Sequence, residues 1–237
     1  MIQRQSGGMS LKPSAFPLIA KGDYWREHGE IEKALAIYTQ AIKIDPKASG
    51  AYIGRAKVWE EFGKTDKALA DFTTAFKNDP PFNPGAARFR GDLYQSLHRY
   101  QEAINDYSLV ISLAPTDGLY FSRGNCYLKS NKPAMAVKDF DKTILTGGDR
   151  STTYLKRADA YFALNQNVKA LADYNKTLKL DPEGNDSKDG HEHLHKTKAE
   201  IYKRLGKPDL AKKELALVRA GRDASLDLAP FASDQFK

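Results

Sequence analysis

An all-α chain, folded as a solenoid of six helix-turn-helix hairpins, is what this sequence predicts. Three observations carry the prediction: hairpin-like stretches recur at a nearly fixed spacing, small and aromatic residues recur in fixed slots within them, and a glycine or asparagine recurs at the turn.

The clearest unit is residues 151–182, STTYLKRADAYFALNQNVKALADYNKTLKLDP. Tyr154, Ala158 and Tyr161 stand at i, i+4 and i+7 on one face of a first helix, and Ala170, Tyr174 and Thr177 repeat that spacing on a second. Asn165 stands where the first helix ends and tolerates the left-handed conformation needed there, while Pro182 lacks an N–H and stops the second helix. Related hairpins begin near Ala15, Ser49, Pro84, Asp117, Ser151 and Glu192, in steps of 34, 35, 33, 34 and 41 residues. Repeat positions below count from these six residues.

Position 8 holds Gly22, Ala56, Gly91, Gly124, Ala158 and Ala199, and position 20 is alanine in all six hairpins, from Ala34 to Ala211. Position 11 is always aromatic (Trp25, Trp59, Tyr94, Tyr127, Tyr161, Tyr202), and position 24 is Tyr38, Phe72, Tyr107, Phe140, Tyr174 and then Leu215. Small residues on one helix thus receive large ones from the other. Position 15, the turn, is Gly29, Gly63, His98, Asn131, Asn165 and Gly206; five of the six suit positive φ, and His98 does not.

The flanks and junctions differ. Residues 1–14 read as a flexible leader to the solenoid over 15–220, and 221–237 as a tail whose Leu226, Leu228, Phe231 and Phe236 suit packing on the last hairpin. Pro80, Pro81 and Pro84 stiffen the second junction, and the polar insertion EGNDSKDGH before the sixth hairpin reads as a mobile loop.

Composition bounds the function. The chain has 237 residues with 41% hydrophobic and 28% charged, an ordinary globular balance, and a net charge of +7. From His191 to Arg222 nine basic residues face four acidic ones, so Lys203, Arg204 and Lys212 form a candidate patch for an acidic partner, although a solvated helix face is the plainer reading. Cys126 is alone and reads as a buried hydrophobe. With neither a signal-like nor a membrane-spanning apolar run visible, a soluble cytoplasmic protein is expected.

No catalytic constellation stands out, and no cofactor or metal is expected. Gly63-Lys64-Thr65 ends like a phosphate-binding loop, but Val58 occupies the place of the required first glycine. His193 stands two residues from His191 and from His195, a spacing that points side chains apart on a helix, and His195 holds repeat position 4, where Tyr52, Tyr120 and Tyr154 stand in other hairpins.

With its period near 34 residues and its small and aromatic slots, the sequence resembles the tetratricopeptide-repeat family. The resemblance implies a right-handed superhelix with the first helix of each hairpin lining a concave face, and partner segments bound there through positions 2, 5, 9, 12 and 13. These include Arg88, Phe121 and Leu155 at position 5, Asp92, Asn125 and Asp159 at position 9, and Leu128 and Phe162 at position 12. Phe121, Leu128, Leu155 and Phe162 are expected to form an exposed apolar patch, with packing against the next hairpin as the alternative for Leu128 and Phe162. Asn125 suits a peptide backbone, and Asp92 and Asp159 favour a partner with basic side chains. The family's clamp for chaperone C-termini is incomplete, because Ile19 and Asp23 occupy two of its places in the first hairpin.

The expected function is a non-enzymatic scaffold or adaptor whose groove takes another protein or peptide with apolar and basic side chains. The alternatives are nucleic-acid association through the basic last hairpin, or self-association.

Overall fold

The computed structural model describes residues 14–78, 84–184 and 188–226, and within them every regular element is an α-helix. Twelve helices pair into six hairpins: α1 (Phe16–Glu27) with α2 (Ile31–Ile44), α3 (Ser49–Glu61) with α4 (Thr65–Asn78), α5 (Pro84–Ser96) with α6 (Tyr100–Leu113), α7 (Asp117–Lys129) with α8 (Pro133–Leu145), α9 (Ser151–Ala163) with α10 (Asn167–Leu180), and α11 (Lys188–Arg204) with α12 (Pro208–Leu226). The chain divides into two compact units, Met1–Ala114 with the first three hairpins and Pro115–Lys237 with the last three. Both are helical-repeat solenoid in architecture.

Hairpins two to five begin at the residues that the spacing predicts. The sixth does not: α11 starts at Lys188, inside the insertion expected to be a loop. His191 lies in this added stretch, its Nε2 3.7 Å from Asp181 just beyond α10 and its ring packed over Gly184. The expected proline-stiffened junction, apart from Pro84 at the start of α5, falls outside the described residues, as do the leader through residue 13 and the tail beyond Leu226.

Inside each of the first five hairpins the aromatic at position 24 is wholly buried against small residues of the facing helix. A Cβ added to Gly22 would meet the Tyr38 ring at 2.5 Å, and one added to Gly124 would meet Phe140 at 2.9 Å, so the helices approach more closely there than a methyl group allows. Neighbouring hairpins share cores. Tyr38 and Ala34 pack with Val58 of α3; Phe72 and Ala68 pack with Leu93 of α5; and Tyr174 and Ala170 pack with Leu194 and Ile201 of α11.

A second interaction inside the hairpins is polar. Arginine at position 7 of the first helix grips aspartate at position 23 of the second: Arg55 holds Asp71 through Nε and Nη2 at 2.8 and 2.8 Å, Arg90 holds Asp106 at 2.8 and 2.7 Å, Arg123 holds Asp139 at 2.8 and 2.8 Å, and Arg157 holds Asp173 at 2.7 and 2.9 Å. The sixth hairpin keeps the link as Lys198 with Glu214, at 2.7 Å. Each fork is bidentate, the strongest geometry available to this pair. The remaining nitrogen also reaches position 25 of the preceding hairpin: Arg55 donates to Thr39 (3.3 Å), Arg90 to Thr73 (3.1 Å) and Arg157 to Asp141 (2.7 Å). Hydrogen bonding to Asp173 raises the Arg157 pKa further above its ordinary value.

All six turns have positive φ at position 15, and His98, at φ 60, takes the conformation of its glycine counterparts. The repeat geometry overrides the residue's preference, at a cost of roughly 1 kcal/mol for a side chain with a Cβ. Replacing His98→Gly is expected to raise the unfolding free energy by about 0.5–1 kcal/mol in urea denaturation; a loss of stability would show that the His98–Tyr100 contact at 2.9 Å outweighs the backbone term.

The ion pairs generate a second expectation. Asp173→Ala leaves the half-buried Arg157 head with Asp141 as its remaining carboxylate and should cost about 2 kcal/mol, whereas the pairwise Arg157→Met/Asp173→Leu variant should lose about 1 kcal/mol or less. A double variant that loses the sum of the two single losses in a double-mutant cycle would mean that the two groups are not coupled.

Candidate interaction surface

The first helices of the hairpins carry the residues that the resemblance singles out, and the structure sorts them into those occupied within the fold and those left free. The sorting follows position 24. Where that residue is tyrosine, its hydroxyl donates to an aspartate at position 9: Tyr38 to Asp23 at 2.7 Å, Tyr107 to Asp92 at 2.8 Å, Tyr174 to Asp159 at 2.8 Å. Burial, then the carboxylate, pushes the Tyr38 and Tyr174 hydroxyls above the ordinary tyrosine range. Where position 24 is phenylalanine, in hairpins two and four, position 9 is Lys57 or Asn125 instead. A buried hydroxyl requires an acceptor, and a buried phenyl ring has no use for one.

In the first unit, Lys57 lies with its Nζ 4.1 Å from the Phe89 ring, and the Arg88 guanidinium lies 4.6 Å from the same ring. Phe89 in turn stacks on Phe72 at 5.9 Å. Burial, then the neighbouring Arg26 and other charges, lowers the Lys57 pKa from the ordinary lysine value. Arg88 is exposed and Asp92 is half-buried, so the two predicted site residues of hairpin three differ: Arg88 lies open over an aromatic ring, while Asp92 serves Tyr107.

In the second unit the expected apolar patch is smaller than the spacing suggests. Leu155 is only 5% exposed and belongs to the core with Ala158, Tyr174, Leu194 and Ile201, because α11 lies over it; its expected place in an exposed patch is corrected. Phe162 packs on that same core and is covered by the Arg204 guanidinium at 4.6 Å, so for this residue packing against the next hairpin prevails. Asp159 is shared between Tyr174, His193 Nε2 at 2.9 Å and Lys156 at 3.9 Å.

Three residues remain on one face of α7. Phe121, Asn125 and Leu128 stand at i, i+4 and i+7; all are half-buried, Phe121 leans on Phe140 at 5.9 Å, and the Asn125 amide makes no hydrogen bond with any described residue.

The histidines take separate partners, although the His191 and His195 rings lie edge to face at 6.4 Å. His193 meets Asp159 of α9, His195 Nδ1 lies 2.6 Å from Glu214 of α12, and His191 faces Asp181. Among the described residues no three potential ligands gather as a metal site. Of the basic candidates, Lys203 and Lys212 are exposed and form no ion pair with a described residue, while Arg204 pairs with Glu200 at 3.1 Å and reaches Asn165 at 3.4 Å. No helix among the described residues is long and apolar enough to cross a membrane.

Two features had a signal in the sequence that the small and aromatic columns did not reveal. Arginine and aspartate recur sixteen residues apart in hairpins two to five, and tyrosine at position 24 is matched with aspartate at position 9 in hairpins one, three and five. Both patterns emerge once charged residues are aligned column by column.

Six hairpins with shared cores and repeated inter-helix forks define a helical-repeat protein. Family profiles described as tetratricopeptide repeat match residues 19–69, 55–118 and 151–183, and the chain belongs to that family, whose members mediate protein–protein interaction. No curated protein matches the chain in sequence. Among solved structures it is similar to PilF of Pseudomonas aeruginosa, at 20% identity over 87% of this chain and 91% of that chain, with a TM-score of 0.65. YrrB, described as a TPR protein with an unusual peptide-binding site, matches at 20% identity over 72% and 88% with a TM-score of 0.65. A MamA segment, 41-end, from Desulfovibrio magneticus RS-1 matches at 18% identity over 74% and 96% with a TM-score of 0.67. At these identities the likeness is one of fold.

His193 makes the surface sensitive to pH. Its hydrogen bond to Asp159 raises its pKa above the ordinary value of about 6.5 and outweighs partial burial and the opposing charges of Lys156 and Lys196. A raised pKa means that this link between α9 and α11 contributes fully below the ordinary value and is lost as pH climbs through the raised one. Protection of α11 amides against hydrogen exchange, corrected for intrinsic rates, should therefore fall between pH 6 and pH 8, and His193→Gln should flatten the dependence. An NMR titration placing His193 at or below the ordinary value would contradict this.

Proposed function

We propose that this chain is a non-catalytic interaction scaffold that takes a segment of another protein along the first helices of its hairpins, anchored in the second unit on α7. The observation that carries this reading is the face of Phe121, Asn125 and Leu128: two half-buried apolar side chains flank an amide with no internal partner. An amide offers one donor group and one acceptor, the pair needed to hold an extended backbone, and the flanking apolar surface gains by being covered. The equivalent residues of the fifth hairpin are occupied by the fold, Leu155 and Phe162 in packing and Asp159 by Tyr174 and His193. The partner's apolar side chains thus supply the anchor. A basic side chain near Asp159 orients the segment rather than anchoring it, since that carboxylate already serves Tyr174.

Quantitative affinity purification from the native host tests this reading. Phe121→Ala/Asn125→Ala should reduce recovery of the specific partner about tenfold or more, the usual reach of a hot-spot cluster, with helicity unchanged by circular dichroism. Leu155→Ala should instead lower stability by about 2–4 kcal/mol, as a core truncation does. Full recovery with the α7 variant would refute the assignment.

A further inference from the structure

Phenylalanine at position 24 relieves two position-9 residues of serving a tyrosine: Asn125, already placed on the α7 face, and Lys57 on α3 of the first unit. The Lys57 ammonium lies 4.1 Å from the centre of the Phe89 ring, and the Arg88 guanidinium of α5 lies 4.6 Å from the same centre. Stacking on Phe72 at 5.9 Å ties that ring to the core. The two charges are therefore at most about 9 Å apart, a span that one carboxylate closes when the exposed Arg88 turns toward it. Lys57 is half-buried, and neither cation forms an ion pair or a hydrogen bond with any described residue.

The acids nearby are engaged elsewhere or stand apart. Asp23 and Asp92 accept from Tyr38 and Tyr107, at 2.7 and 2.8 Å, and Glu61 pairs with Arg26 at 3.3 Å. Glu60, three residues along α3 from Lys57, is exposed and forms no ion pair with a described residue. Burial first, and then Arg26 and Arg88, lower the Lys57 pKa against the pull of Asp23 and Glu60, so all these charges stand within electrostatic reach of it. Partial burial, then Asp92 and Glu61, raise the pKa of Glu60. The fold thus holds a partly desolvated ammonium with no counterion, and an arriving anion meets a desolvation cost already incurred.

We infer that the first unit takes a single carboxylate, the side chain of an internal aspartate or glutamate of a bound segment, between Lys57 and Arg88. The surroundings admit one negative charge and oppose more. Nucleic acid, an acidic run or an acidic chain terminus with its two carboxylates would bring further anions against Asp23, Glu60 and Asp92, and like charges brought together at an interface select against that partner. The inference rests on the general reading of the chain as an interaction scaffold. It shares no residue with the α7 face, so either assignment fails without the other.

A library of end-blocked peptides tests it, with the central residue fixed in turn as glutamate, glutamine or phosphoserine and the flanks drawn from leucine, serine and lysine. The full chain should retain the glutamate set about tenfold more strongly than the glutamine set, as a charge-assisted hydrogen bond allows. Lys57→Met/Arg88→Met should abolish that preference with helicity unchanged by circular dichroism, whereas Phe121→Ala/Asn125→Ala should keep it. Bound glutamate peptide should also raise the Lys57 pKa, read by NMR from its side-chain carbon shift. Equal retention of the glutamate and glutamine sets, or retention of neither at millimolar peptide, would overturn the inference. So would stronger retention of the phosphoserine set, or tighter binding of single-stranded RNA through the same two residues, since either puts more than one negative charge at the site.

Discussion

The arginine–aspartate fork between repeat positions 7 and 23 is the constraint on which most of the architecture depends. A bidentate fork fixes two planes, not only a distance, so it sets both the rotation and the rise of the second helix against the first. Sliding one helix by a residue turns its side chains by roughly 100° and would take the aspartate out of reach. That accounts for the near-constant turn length between hairpins two and five. Such pairs contribute little net stability relative to well-packed apolar residues, and their value here is register. Because Arg55, Arg90 and Arg157 also reach back to position 25 of the hairpin before, the same side chain that aligns a hairpin also ties it to its neighbour.

The hydroxyl at position 24 extends this logic to the interaction surface. A tyrosine there needs a carboxylate, and the chain supplies Asp23, Asp92 and Asp159, each thereby engaged in the fold. Phenylalanine makes no such demand, and Lys57 and Asn125 then occupy position 9 without a buried acceptor to serve. Alternate hairpins thus divide the work. Those with tyrosine commit position 9 to an internal hydrogen bond, and those with phenylalanine leave it outside that bond.

The fold was legible in the sequence because its determinants are local and periodic: alanine and glycine opposite aromatics, and a turn residue every 34 positions or so, predict hairpins two to five to the residue. His98 shows that the turn conformation belongs to the position and is imposed even on a residue that resists it. The candidate site was less legible because exposure is a property of the neighbouring hairpin. Leu155 and Phe121 hold the same repeat position, yet Leu155 is sealed beneath α11 and Phe121 stays half-open. The start of α11 escaped as well: the polar run before Glu192 carries turn residues, yet the helix begins within it at Lys188, with the His191 ring packed over Gly184. A one-dimensional pattern carries the composition of a column and says little about what lies above it.

Termination of a repeat array follows from the same positions that propagate it. Apolar residues at positions 21 and 28, from Leu35 and Ile42 in the first hairpin to Leu171 and Leu178 in the fifth, make each second helix an incomplete structure that gains by covering. Placing Lys212 and Arg219 there ends that demand without changing the backbone, since both residues are good helix formers and α12 continues through them. A surface on which an apolar helix would gain by packing becomes one where such a helix would have to desolvate two cations, so the end of the array is specified by repulsion.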